Sequence, residues 1–210
     1  MNGRLGAAMA SLPLVAILRG LKPAEAPDIL RALVGEGFAL IEVPLNSPEP
    51  LASLSAMRAI APAGVLIGAG TVLSVANVEQ VARAGGELIV TPHCDAAIIR
   101  AAKARGLIAL PGVATPSEAF GALAAGADGL KAFPAEMITP AIVRAWRAVL
   151  PTGASILPVG GITPDNMAPY VAAGASGFGL GSALYRPGDG AARVAHNAAA
   201  FVAAWRAIRR

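Results

Sequence analysis

From residue 12 to its end the chain alternates short, strand-type apolar runs with Ala-rich helical stretches. No other feature constrains the fold as much. The apolar runs are 12–19, 38–44, 65–71, 87–91, 107–112, 129–133, 155–159 and 176–181, each followed by a stretch that reads as a helix. Strands that are apolar on nearly every residue are buried on both faces, and helical crossovers between them make them parallel. Eight such units in 210 residues predict a compact α/β fold, a (β/α)8 TIM barrel, with a doubly wound open sheet as the alternative. No linker or low-complexity segment divides the units, so residues 1–210 read as a single domain. The punctuation fits: Gly37, Gly85, Gly106, Gly126 and Gly174 stand where helices should end. Thr115-Pro116, Thr139-Pro140 and Thr163-Pro164 stand where helices should begin, and Thr115 with Glu118 spells a capping box.

Composition excludes several classes of function. The formal charge is only +4 and the arginines are scattered with few aromatics beside them, so no nucleic-acid surface is expected. One cysteine, Cys94, rules out an internal disulfide and suits a reducing cytoplasm. His93, Cys94 and His196 match no metal-ligand spacing, so no metal is expected. The stretch LPLVAIL (12–18) has a loose likeness to a secretory signal. The small residues of GAAMAS precede it, however, and Arg19 follows it, so it reads as the first strand. No stretch has the length of a membrane span without Gly, Pro or charge interrupting it, and no membrane partner is expected.

The chemistry is announced by two charges in the wrong places. The lysines are Lys22, Lys103 and Lys131, and Lys131 lies within the apolar segment GLKAFP (129–134). An ammonium among Leu130, Phe133 and Pro134 is desolvated, which lowers its pKa and leaves part of it as the free amine that attacks carbonyls. In FALIEVPL (38–45), Glu42 is likewise an acid deep in an apolar run. In a barrel, reactive residues sit at the C-terminal ends of strands and point inward with period two. Arg19 in register with Val15 and Ile17, Glu42 with Leu40, Thr71 with Ile67 and Ala69, and Lys131 then converge on one mouth. The Gly-rich turns PVGGIT (158–163) and GLGS (179–182) follow strands seven and eight, where barrels commonly bind phosphate through backbone N–H groups. Each feature alone has a structural reading: an edge-strand lysine, a Glu42–Arg19 pair, a strand threonine, an ordinary Gly-Gly turn. Their coincidence on one face favours a site. A phosphosugar isomerase or binding barrel would explain the turns but not an apolar strand around the lysine.

These residues also carry a resemblance. PLVAILRG (13–20), GFALIEVPLNSP (37–48), LIGAGTVL (66–73), LIVTP (88–92), LKAFPAE (130–136), PVGGITPDN (158–166) and GLGSALYR (179–186), in this order, resemble the pyruvate-dependent class I aldolases of 2-keto-3-deoxy-6-phosphosugar acids. The resemblance implies a Schiff-base lysine at Lys131 and a general acid/base at Glu42. It implies contacts to the substrate carboxylate from Arg19 and Thr71, and phosphate binding around Gly160, Gly161, Gly181 and Ser182. It further implies cleavage to pyruvate and D-glyceraldehyde 3-phosphate, no metal or cofactor, and a homotrimer. Within the family, the gluconate branch carries an arginine where this chain has Asn46 and a threonine where it has Val159. Both departures favour the galactonate epimer, with Val159 beside the substrate and the gluconate epimer as the alternative. His93 stands where the resemblance implies an asparagine.

Overall fold

The computed structural model describes residues 3–209. Among the described residues there are nine parallel strands, separated by helices except between the fifth and sixth: β1 (Leu14–Ile17), β2 (Leu40–Pro44), β3 (Leu66–Gly70), β4 (Leu88–Val90), β5 (Ile108–Leu110), β6 (Gly112–Val113), β7 (Leu130–Ala132), β8 (Ile156–Pro158) and β9 (Phe178–Leu180). They form a six-stranded sheet in the order β5-β4-β3-β2-β1-β9 and a three-stranded sheet in the order β6-β7-β8. The helices are α1 (Gly3–Ser11), α2 (Ala26–Gly35), α3 (Pro50–Ile60), α4 (Val75–Arg83), α5 (Ala96–Ala104), α6 (Pro116–Ala124), α7 (Pro140–Arg147), α8 (Met167–Ala172) and α9 (Ala191–Ile208). Their ends follow local chemistry. Thr115 accepts a hydrogen bond from the Glu118 amide and Glu118 accepts one from the Thr115 amide, completing the capping box at α6. Gly37 follows α2 at φ +92°, and Gly85, Gly106, Gly126 and Gly174 follow their helices with φ likewise positive.

The two sheets meet at both edges. β5 and β6 are one apolar run interrupted at Pro111, which has no N–H to give to a ladder. At the other edge a parallel bridge pairs Val159, just beyond β8, with Gly179 of β9. Side chains on one face of the strands, among them Val15, Leu40, Leu66, Leu88, Val90, Ile108, Leu110 and Leu157, pack into an interior cluster shared by both sheets. The opposite faces pack against the helices in a larger cluster that includes Ile41, Ile67, Ala69, Ile89, Ala109, Leu130 and Ile156.

The structure departs from the sequence expectation in three places and adds a helix before the first strand. The segment before β1 is the helix α1, whose Leu5 and Ala8 enter the interior cluster. The fifth strand is broken by Pro111. β1 and β3 end at Ile17 and Gly70, so Arg19 and Thr71 lie beyond the strands and do not close them. Finally, the register of the third strand is shifted by one: Ile67 and Ala69 face the helices, while Leu66, Gly68 and Gly70 share the interior side. The strand can turn that way because its interior positions are mostly glycine, leaving room for the neighbours' side chains. Among the described residues, no helix is long and apolar enough to cross a membrane.

Candidate active site

Lys131 is the middle residue of β7, flanked by Leu130 and Ala132, which pack outward on the helices. Period two therefore turns Lys131 inward, where it is 8% exposed and its Nζ lies 4.6 Å from the centre of the Phe133 ring. Burial holds its pKa below the usual lysine value. The nearby negative charge of Glu42 opposes that shift, and Arg19 reinforces it.

Glu42 occupies the same interior from β2, in register with Leu40, and is 2% exposed. Its Oε2 has no hydrogen-bond partner among the described residues. Burial raises its pKa from 4.5 to about 7, against the opposing effects of Lys131, Arg19 and the Gly70 amide. Room for this carboxyl group exists only because residue 70 is glycine: a Cβ there would lie 1.9 Å from Oε2. Lys131 and Glu42 also line one small chamber with Val15, Ile17, Val90 and Leu110. An amine and an acid are thus placed together in an apolar enclosure, each pushed toward its neutral form. That combination suits addition of the amine to a carbonyl with proton transfer by the acid.

Above this chamber opens a cavity of about 540 Å³ at the C-terminal ends of the strands. Lys131, Arg19, Thr71, Val159, Gly160, Gly161, Gly181 and Ser182 all line it, while Glu42 lies beneath and meets it through Lys131. Arg19 donates to Asn46 Oδ1 at 2.6 Å, so Asn46 orients this arginine. Thr71 reaches the cavity by leaving the strand: its φ is +54°, a left-handed conformation costly for a β-branched residue. Val159 is 8% exposed and packs over Gly179, where a Cβ would lie 2.6 Å from its Cγ2. Among the described residues no group of three or more His, Cys, Asp or Glu side chains is placed to hold a metal ion. His93 is exposed and Cys94 Sγ donates to the Glu118 carbonyl at 3.4 Å, so both stand apart from the lining.

Sequence reasoning missed several lining residues, chiefly Glu136, Tyr185 and Arg186. Each belongs to a motif read above, LKAFPAE or GLGSALYR, yet each lies past the end of a strand, where period two no longer says which way a side chain points.

Comparison with known proteins identifies the family. A family model described as KDPG and KHG aldolase matches residues 5–192. A probable 2-dehydro-3-deoxy-6-phosphogalactonate aldolase from Rhizobium meliloti is 52% identical over 93% of this chain and 92% of its own. The 2-dehydro-3-deoxy-6-phosphogalactonate aldolase of Escherichia coli is 47% identical over 93% of this chain and 95% of its own. Among solved structures, a native KDPGal structure superposes with a TM-score of 0.92 at 46% identity, covering 94% of this chain and 96% of that one. A KDPG aldolase from Legionella pneumophila, with pyruvate captured at low pH as a covalent carbinolamine intermediate, superposes with a TM-score of 0.81 at 26% identity, covering 97% of each chain. With a family match that takes in every residue lining the site, the chain belongs to the KDPG and KHG aldolase family.

Proposed function

We propose that the protein is a class I aldolase that cleaves 2-dehydro-3-deoxy-6-phospho-D-galactonate to pyruvate and D-glyceraldehyde 3-phosphate. The observation that carries this reading is Lys131, the one buried lysine among the described residues, its amine held below its usual pKa beside a glutamate poised near neutrality. The two relatives named for the galactonate substrate support the choice of epimer. The Legionella intermediate supports a covalent path.

In this reading the Lys131 amine adds to the C2 ketone, and the carbinolamine loses water to give a protonated imine. Glu42, directly or through a water, takes the proton of the C4 hydroxyl. The C3–C4 bond then breaks, its electron pair passes into the imine to form an enamine, and C4 leaves as the aldehyde carbon of D-glyceraldehyde 3-phosphate. Protonation of the enamine at C3 and hydrolysis of the imine release pyruvate and regenerate the amine. The protonated imine itself is the electron sink, so the residues present suffice without a metal or cofactor. Arg19 and Thr71 take the carboxylate end, Val159 faces the passing C4 region, and Gly160, Gly161, Gly181 and Ser182 take the phosphate.

Closure of the two sheets into one (β/α)8 barrel domain belongs to the same proposal, supported by the Pro111 junction and the Val159–Gly179 bridge. So does assembly as a homotrimer in a reducing cytoplasm, supported by exposed apolar side chains such as Leu73, Phe120 and Met137 and by the lone Cys94. Borohydride reduction in the presence of pyruvate tests the chemistry: a stable adduct on Lys131 is expected. Adduct on Lys22 or Lys103, or none at all, would overturn it. An assay of both C4 epimers with coupled pyruvate detection tests the substrate.

A further inference from the structure

The substrate proposed above has two anionic ends, and the cavity carries two arginines placed far apart in sequence. Arg19 is coupled electrostatically to Lys131 and Glu42, which puts it at the reacting end. Arg186 enters the cavity beside Gly181 and Ser182, on the segment whose Pro187 abuts Gly20. The chain after β9 turns back on itself, with the Leu184 and Tyr185 amides both donating to the Gly181 carbonyl at 2.8 and 3.0 Å. That turn carries Arg186 over Ser182, whose carbonyl accepts its Nε–H at 3.1 Å. The Asp189 carboxylate accepts the Arg186 backbone amide at 2.8 Å and makes no ion pair with its side chain. The guanidinium is therefore fixed by one nitrogen, while Nη1 and Nη2, which have no partner among the described residues, remain on an exposed side chain that lines the cavity.

A carboxylate lines the same cavity. Glu136 lies against the Gly-Gly turn so closely that a Cβ at Gly160 would be 2.3 Å from its Oε2, and one at Gly161 would be 3.2 Å from its Oε1. A phosphate settling on backbone amides alone would meet this negative charge with no cation to offset it. A guanidinium fork matches phosphate oxygens in geometry as well as charge. We infer that Arg186 is a phosphate-selecting residue, whose two outer nitrogens close on the substrate phosphate as it sits on the Gly161 and Gly181-Ser182 backbone. This rests on the aldolase reading and adds to it the residue that makes the enzyme prefer phosphorylated aldehydes.

Arg186→Ala is tested in the synthetic direction with pyruvate and either D-glyceraldehyde 3-phosphate or D-glyceraldehyde. Loss of a charge-assisted contact should lower kcat/KM for the phosphorylated aldehyde roughly 10- to 100-fold, mainly through KM. Addition to D-glyceraldehyde and borohydride trapping of pyruvate should change less than about twofold, since neither involves a phosphate. Arg186→Lys should recover part of the loss, and inorganic phosphate should inhibit Arg186→Ala more weakly than wild type. Equal losses with both aldehydes, or none with the phosphorylated one, would overturn the assignment. Failure of the wild-type protein to trap pyruvate would instead overturn the aldolase reading, whatever Arg186 does.

Discussion

At the level of single residues, burial pushes Lys131 and Glu42 in the same direction, each toward neutrality. Lys131→Arg keeps the charge but cannot form an imine, so it and Lys131→Ala should both lose pyruvate trapping and cleavage while circular dichroism stays unchanged. Glu42→Gln should still trap some pyruvate but turn over roughly two to four orders of magnitude more slowly, with the acid limb of the rate near pH 7 flattened. Near-normal turnover would remove Glu42 from the proton path. The same shift has a sign for stability. The folded state keeps a proton that the unfolded chain releases, so this contribution is full below pH 4.5 and is lost as pH rises to about 7. Denaturant midpoints should therefore show Glu42→Gln gaining on wild type as pH rises from 5 to 8; a constant difference would refute the raised pKa. Epimer choice is also argued here. Val159 lies beside the proposed path of C4, and threonine has its shape with an added hydroxyl. Val159→Thr should shift kcat/KM toward the gluconate epimer by a few-fold to about tenfold, on the scale of one hydrogen bond. An unchanged ratio would place selectivity elsewhere. Asn46→Arg should move the ratio further, because it removes the acceptor of Arg19 and sets a second cation beside it.

Among the elements, β3 is where the sequence was hardest to read and where it has most to say about the site. LIGAG looks like a strand in either register, since Leu66 and Ile67 are equally apolar and the remaining residues are small. What decides the register is the neighbour: Glu42 needs space, and Gly70 supplies it. No pattern within β3 reveals that. Lys131 and Glu42 were legible because a charge inside an apolar strand is rare and period two then fixes its direction. Thr71, Glu136 and Arg186 sit in turns, where direction depends on φ values and on contacts that sequence spacing does not encode. Gly70→Ala tests the packing directly. The added methyl must displace the Glu42 carboxyl group, and a misplacement near 1 Å costs on the order of 10²-fold in turnover. Because both changes act through one carboxylate, Gly70→Ala combined with Glu42→Gln should be little slower than Glu42→Gln alone. Wild-type turnover in Gly70→Ala would mean the glutamate tolerates movement.

For the molecule as a whole, the alternation of parallel strands and helices was legible because the strands are short and apolar and nearly all are followed by a helix with its own start and stop signals. α1 was not, because its nine residues are mostly Ala and Gly and its significance lies in what it covers. Its pattern is nevertheless present: Leu5 and Ala8 are spaced i and i+3, and both are buried. Leu5 is 1% exposed and packs in the interior cluster with Leu40, Leu66, Leu88 and Ile108, the opening residues of β2, β3, β4 and β5. The helix thus covers the end of the interior opposite the site, keeping water from strand ends that have no helix crossover to shield them. Leu5→Ala should lower stability by about 2–5 kcal/mol, the range for emptying a buried leucine site. The denaturant slope should be unchanged, because the amount of surface exposed on unfolding hardly alters. Under conditions where the variant remains folded, its kcat should match wild type, since Glu42 and Lys131 lie at the other end of the strands. A variant as stable as wild type would show that α1 rests on the interior without sealing it. A variant that is stable but slow would show that the two ends of the molecule are coupled.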